Sequence, residues 1–344
     1  MTILVTGGTG YLGGAVVRAL RRRGDRVRVL ARKTSRTDEL ARLGVEIATG
    51  DILDRTSVEQ ALDGCDVLYH AAAVYEYWTP DRALQKRITV EGTRNVLAAA
   101  QAKGVRRVIY TSTSYTIGEA RGQTGTEETH HRGYFIGVYD EAKYHAEQVA
   151  REFAWQGLPV VILNPSGIFG PGPLKPVGKM MLDTVTGRQP MLLRGSVSHV
   201  YIDDVVQGHL LAAEKSRPGE RYILSAYNVD AADFMRETCR LAGVKPPPVG
   251  PLFIGRIVAN VQELVARRTR RPPDLPREVV ALLSHGMRVD GSKAERELGL
   301  RYTSLEEAIV RTLAYYWEQG WLKQKPACLQ DGTEAGSELY AGRR

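Results

Sequence analysis

Cysteine is scarce. Cys65, Cys239 and Cys328 stand far apart without paired spacing, so neither a disulfide framework nor a zinc site is expected, and the thiols suit a reducing compartment. No apolar run approaches the roughly 20 residues needed to span a bilayer, so no membrane span is expected. The chain opens MTILVTGG, a strand almost at its first residue. That leaves no place for a charged segment followed by an apolar one, and a cytoplasmic location is expected. Internal repeats and nucleic-acid motifs are also missing. The formal charge of +8 is spread along the chain, and an anionic small molecule explains part of it more economically than nucleic acid. His130 and His131 lack a spaced carboxylate or cysteine partner, so a solvated loop is expected there and no metal.

What is present reads as a globular protein. With 344 residues, 43% hydrophobic and 25% charged, it has material for one large or two coupled domains. In the first half, short apolar runs alternate with longer helical patterns. TILVTG (2–7), RVRVLAR (26–32), VEIATGD (45–51), DVLYHAA (66–72), RVIYTS (107–112) and PVVILNP (159–165) have strand length and are bounded by glycine, proline or polar residues. GGAVVRALRRRG (13–24) and TVEGTRNVLAAAQAKG (89–104) have helical periodicity and end in glycine. The alternation predicts an α/β fold, a doubly wound parallel Rossmann sheet with helices on both faces and ligands at the carboxyl ends of its strands.

Beyond Pro165 the rhythm changes, with proline-rich connections at 170–178, 242–251 and 271–276 between amphipathic helical stretches. We read residues 1–168 as a dinucleotide-binding domain to which 199–215 return. Residues 169–322 read as a smaller, mostly helical substrate domain, and 323–344 as a loose tail. One stretch, FIGRIVANVQELV (253–265), runs into ARRTRRPP (266–273). A helix lying on its own domain, its C-terminal arginines favoured by the helix dipole, is expected in preference to membrane-surface contact.

The strongest motif is TGGTGYLGG (6–14), placed between the first strand and the first helix. Gly7, Gly10 and Gly13 recur every third residue, and glycine permits a tight turn with backbone N–H groups close to a pyrophosphate. Gly7, Gly10, Tyr11, Leu12 and Gly13 are the expected contacts. At the end of the second strand, where an acidic residue would hold the ribose hydroxyls of NAD, the chain reads Ala31-Arg32-Lys33. Arg32 suits the 2′-phosphate of NADP(H); the alternative is that Arg32 and Lys33 are solvated loop charges and NAD(H) binds. Asp51 and Ile52 are placed to meet the adenine, and Ala71 and Ala72 are small enough to let a cofactor pass. Further on, Tyr139 and Lys143 lie four residues apart in a helical stretch, hence on one face. A phenol with an ordinary pKa near 10 needs a nearby cation to become an acid-base catalyst at neutral pH.

These motifs, with a Ser/Thr run after the fifth strand, resemble the extended short-chain dehydrogenase/reductases over residues 1 to about 322. GLPVVILNPSGIFGP (157–171), HVYIDDVVQGHLLAAE (199–214) and SKAERELG (292–299) are similar to the branch of hopanoid-associated sugar epimerases and dihydroflavonol 4-reductases. The resemblance implies that Lys143 also holds the nicotinamide ribose, that Thr113 is the catalytic Ser/Thr, with Ser112 and Ser114 close by, and that Pro165 and Ile168 line the nicotinamide. It implies hydride transfer to a substrate carbonyl with Tyr139 as proton donor, and a homodimer formed through helices 89–104 and 139–156.

Departures from the family pattern narrow the reading. Thr89 stands where most relatives carry the asparagine credited with ordering a relay water. Ser114-Tyr115 replace the Asp-Glu pair of sugar-nucleotide dehydratases, and Ser198 precedes His199 where nucleotide-sugar epimerases place a phosphate-binding arginine; Lys175, Arg188 and Arg194 are substitutes. The expected function is an NADPH-dependent ketone or aldehyde reductase; the alternative is an NAD-dependent sugar or nucleotide-sugar epimerase. Tyr75, Tyr77 and Trp78, after the fourth strand, form either an apolar wall over the substrate or ordinary packing.

Overall fold

The structure, a computed structural model, describes residues 1–330. Its first half alternates β1 (Thr2–Thr6), α1 (Tyr11–Arg22), β2 (Arg26–Ala31), α2 (Asp38–Arg42), β3 (Glu46–Thr49), α3 (Arg55–Ala61), β4 (Val67–His70), α4 (Arg82–Ala102), β5 (Arg107–Thr111), α5 (Val138–Trp155) and β6 (Val160–Pro165). Six of the seven strands of the main sheet are those expected. The seventh, β10 (Arg221–Leu224), returns from the second half of the chain and pairs in parallel with β6. Strand order is β3-β2-β1-β4-β5-β6-β10, all parallel, which is the doubly wound arrangement.

Alternation along the strands sorts side chains between the two faces. Leu4, Leu68 and Val108 turn to the face covered by α3, α4 and α5, where Val58, Val96 and Val149 meet them. Ile3, Val5, Ile109 and Val161 turn to the opposite face, under Val16 and Leu20 of α1 and under α7 (Ile202–Lys215). Both faces are dry, which is why the strands read as continuous apolar runs.

The remaining elements are β7 (Gly167–Phe169), α6 (Pro176–Val185), β8 (Leu192–Leu193), β9 (Ser196–Tyr201), β11 (Tyr227–Asp230), α8 (Ala231–Ala242), β12 (Val249–Gly250), α9 (Leu252–Thr269), α10 (Arg277–His285) and α11 (Leu305–Glu318). They form a three-stranded sheet, β11-β9-β7, a two-stranded one, β12-β8, and the helices around them. Residues 323–330, expected to be loose, fold back: Pro326 is buried and Cys328 packs against the core beside α8. The rest of the expected tail lies outside the described residues.

Helix α9 departs from expectation in orientation. Its buried side carries Gly255, Ala259, Glu263 and Ala266, and a side chain on Gly255 would lie 2.7 Å from Leu193 Cδ1. A side chain at Gly255 would have to push the Leu193 methyl groups aside. The bulky apolar side chains face outward, with Phe253, Ile257, Val261, Leu264 and Val265 all more than half exposed. The helix touches its domain with the opposite face from the one that periodicity suggests.

Candidate active site

Strands β1 and β4 are neighbours whose following helices cover opposite faces, so a crevice opens at their carboxyl ends. The chain leaves β1 through Gly7, whose backbone is left-handed at φ +75°. A side chain there would lie 2.7 Å from the backbone nitrogen of Ala72, and one on Gly13 would lie 2.2 Å from the carbonyl oxygen of Gly7. Absence of Cβ atoms is what lets the two loops and the first turn of α1 close together. Helix α1 starts at Gly10 with no side-chain cap and no acidic residue in its first turn. Its free N–H groups form a cradle at the positive end of the helix dipole, and the pyrophosphate of a dinucleotide fits it.

Around that cradle, Tyr11 is buried with its hydroxyl unpartnered, its ring close to Gly172; burial, then Tyr316, raises its pKa. Leu12 is half-buried. Beyond β2, the side chains of Arg32, Lys33 and Arg36 are exposed and none is engaged by an ion pair or hydrogen bond. Asp51 Oδ1 accepts the Leu53 N–H at 2.9 Å, and Ile52 packs on α4 over Gly92. Ala71 and Ala72 are half-buried beside Gly7. Pro165 ends β6, and Ile168 borders a small cavity shared with Tyr11.

Tyr139 is the second residue of α5 and is almost fully buried. Its hydroxyl lies near the side chain of Thr113. Three more phenols close over it, with ring centroids at 5.1 Å for Tyr75, 5.9 Å for Tyr77 and 6.1 Å for Tyr115. Their hydroxyls are linked in a chain, Tyr75 to Tyr77 at 3.2 Å and Tyr77 to Tyr115 at 3.1 Å. Burial first, then the Tyr75 phenol, raises the Tyr139 pKa well above its ordinary value, against the pull of the Thr113 side chain. Trp78 is turned elsewhere and lines a cavity of about 570 Å³ with Arg82, Arg267 and Arg270.

One turn along, Lys143 is buried; its Nζ donates to the Thr111 carbonyl at 2.8 Å and the Tyr110 hydroxyl at 3.4 Å. Burial lowers its pKa to about 8, with Glu147 opposing. No hydrogen bond joins this ammonium to Tyr139. The direct pairing suggested by the spacing is interrupted because β5 takes two of the three ammonium N–H groups. Of the neighbouring hydroxyls, Ser112 donates to Glu147 at 2.7 Å and Ser114 is buried in a 3₁₀ turn, while Thr113 is the one that influences the Tyr139 phenol. The Thr89 hydroxyl is buried without a partner.

Several buried polar groups near the site carry no motif. Glu147 accepts from Ser112, Thr116 and Asn164 and pairs with Arg151 and Arg221 at 2.9 and 3.1 Å; its position four residues after Lys143 is the one sequence signal. Glu278 of α10 accepts the Val138 N–H at 3.2 Å, and a side chain on Gly137 would lie 1.8 Å from its carboxyl carbon. Burial, then Asp140, pushes the Glu278 pKa up to about 8. Glu119 is fully buried, and neither carboxyl oxygen has a close hydrogen-bond partner. Burial pushes its pKa up to about 7, which nearby backbone N–H groups and Arg132 offset only in part.

His131 corrects the solvated-loop expectation: its ring packs 4.4 Å from Tyr144 and covers Gly118, while His130 is exposed. The three basic residues weighed as phosphate holders fare differently. Arg188 pairs with Asp183 at 2.8 Å, Arg194 lies 3.6 Å from both Asp230 and Asp233, and Lys175 caps α6 without an ion pair. Ser198 is buried, its hydroxyl donating to Asn228.

A seven-stranded parallel sheet with a glycine cradle at its switch point and a Thr-Tyr-Lys cluster across the crevice defines a nucleotide-dependent enzyme of the Rossmann class. The model of the NAD dependent epimerase/dehydratase family matches residues 3–229, and the chain belongs to that family. It is an oxidoreductase of the extended short-chain type acting on CH–OH or C=O groups with NAD(P). A putative dihydroflavonol 4-reductase of Synechocystis sp. is 35% identical over 328 residues, 93% of this chain and 95% of the relative. Sterol demethylase protein B of Methylococcus capsulatus is 35% identical over 94% of this chain and all of its own length. Among solved structures, gox2253 superposes with a TM-score of 0.81 at 37% identity, covering 94% of this chain and 99% of that one.

Proposed function

We propose that the protein is an NADPH-dependent reductase of ketone or aldehyde carbonyls, with Tyr139 as proton donor, Thr113 holding the substrate oxygen and Lys143 as the supporting cation. The observation that carries this reading is the placing of the Tyr139 hydroxyl beside the Thr113 side chain, beneath an aromatic roof of Tyr75, Tyr77 and Tyr115. A carbonyl entering under that roof takes the place of a phenol ring and receives hydrogen bonds from both hydroxyls. The nicotinamide supplies the hydride when bound. Tyr139 gives its proton to the oxygen as negative charge develops there, and Lys143, charged below pH about 8, stabilises the phenolate left behind through its remaining N–H. Gly7, Gly10, Leu12 and Gly13 hold the pyrophosphate, Asp51 and Ile52 the adenine side, and Ala71, Ala72, Pro165 and Ile168 flank the nicotinamide half.

Preference for NADPH rests on Arg32, which has an unengaged guanidinium where a 2′-phosphate would lie. Reduction is favoured over nucleotide-sugar epimerisation because Ser198, held by Asn228, stands in place of the phosphate-binding arginine and two of the three basic substitutes, Arg188 and Arg194, are held by aspartates, which leaves Lys175 alone. We place the protein in the cytoplasm as a homodimer joined through α4 and α5.

Tyr139→Phe tests the assignment. Turnover measured at the nicotinamide absorbance should fall about 10²–10⁴-fold, with NADPH affinity unchanged. Undiminished turnover rejects Tyr139 as the donor, and tightly held NAD without net consumption of NADPH rejects the reductase reading.

A further inference from the structure

Seven of the thirteen exposed large apolar side chains among the described residues sit on α9. Phe253, Ile254, Ile257, Val258, Val261, Leu264 and Val265 fall within an arc of about 140° at 100° per residue. They form one continuous stripe, about 18 Å long at helical rise, on a helix whose buried side carries Gly255, Ala259, Glu263 and Ala266. An exposed apolar patch of this continuity marks an interaction surface. At its C-terminal end stand Arg267, Arg268, Arg270 and Arg271, all exposed and without ion pairs. Trp78, Arg82 and Asp81, whose carboxylate accepts the Leu84 N–H at the start of α4, join Arg267 and Arg270 around the cavity there.

We infer that α9 docks the protein on an anionic lipid bilayer, the apolar stripe entering the interface and the arginines meeting lipid phosphates. Charge complementarity selects this occupant. The helix has one acidic residue, Glu263, which is buried and lies 3.6 Å from Arg277. A second copy of the chain laid along the stripe would therefore bring no carboxylate of α9 to the arginine cluster in either orientation, and in the parallel one would set the two clusters face to face. A negatively charged membrane surface neutralises all of them while burying the stripe, the pattern of interfacial helices. Tryptophan beside the cluster suits the headgroup level. Helix α9 has 18 residues, yet no helix among the described residues is long and apolar enough to cross the bilayer, so the contact is with one leaflet.

Co-sedimentation of the full chain with vesicles of phosphatidylcholine alone, and of phosphatidylcholine with about 30% phosphatidylglycerol, tests this. Wild-type protein should pellet with the anionic vesicles and be released in about 0.5 M salt. Ile257→Asp/Leu264→Asp and, separately, Arg267→Glu/Arg268→Glu should each weaken partition by tenfold or more, since a single arginine is worth about fivefold at such a surface. The changed side chains are exposed, and unaltered circular dichroism and thermal transitions confirm that the variants fold. Wild-type protein left in the supernatant at low salt overturns the inference, as does equal pelleting by the apolar double variant. Conversion of a dimer to a monomer by Ile257→Asp/Leu264→Asp, with no vesicle binding by the wild type, assigns the stripe to a second copy instead.

Discussion

Tyr139 and Lys143 are legible as a pair because their spacing on one helix survives any tertiary arrangement. What spacing leaves open is which neighbour each will prefer. The Thr111 carbonyl and the Tyr110 hydroxyl, both from β5, claim the ammonium, and nothing in a local motif announces them. Glu119 is a clearer case of a residue that sequence leaves silent: an acid among loop residues, fully buried without a close partner. Burial disfavours its charged form, and its pKa in the folded state lies at about 7 against 4.5 unperturbed. The folded protein therefore holds this proton more tightly than the unfolded chain, and stability falls as pH rises from about 4.5 to about 7. Glu119→Gln removes the ionisation. Urea denaturation should find the variant more stable than wild type at pH 8 by on the order of 2 kcal/mol, with the difference vanishing toward pH 4.5. A pH-independent difference would deny that Glu119 titrates in the fold.

At the scale of elements, the six short β-branched runs were readable because strands dry on both faces are continuously apolar. Strand β10 is of the same kind, but its four residues, RYIL, come 56 positions after β6 ends, separated from it by β7, α6, β8, β9 and α7, so chain order does not announce the return. Helix α9 shows a different limit. Periodicity says which residues share a face; only the partner surface decides which face turns inward, and Leu193 leaves room for a hydrogen at position 255. The turn from β1 into α1 was legible in its glycine spacing, which Gly10 and Gly13 owe to contacts with Gly7, whereas the close approach of Ala72 to Gly7 comes from a distant loop. Gly13→Ala would put a methyl group 2.2 Å from the Gly7 carbonyl oxygen. Because that oxygen is backbone and cannot swing aside, the variant should lose about 1–3 kcal/mol of stability and at least tenfold in NADPH affinity, read by thermal unfolding and by fluorescence titration. Wild-type affinity would mean that the cradle is not the nucleotide site.

For the molecule as a whole, α4 and α5 lie side by side on one face of the sheet. Their outer surface carries charges of both signs, with Arg94 and Glu152 bridging the two helices at 3.2 Å. A two-fold copy placed there can exchange such pairs between subunits. Sedimentation velocity should accordingly give twice the chain mass of 38.0 kDa, and Ile257→Asp/Leu264→Asp should leave that value unchanged. A species of single chain mass would refute the pairing.

The ring cluster over Tyr139 has one more consequence. Three hydroxybenzene groups crowd the ring that is to give up its proton. On the proposed reading a guest must displace one of them, and planar, unsaturated carbonyl compounds should show a lower KM than saturated ones of equal size.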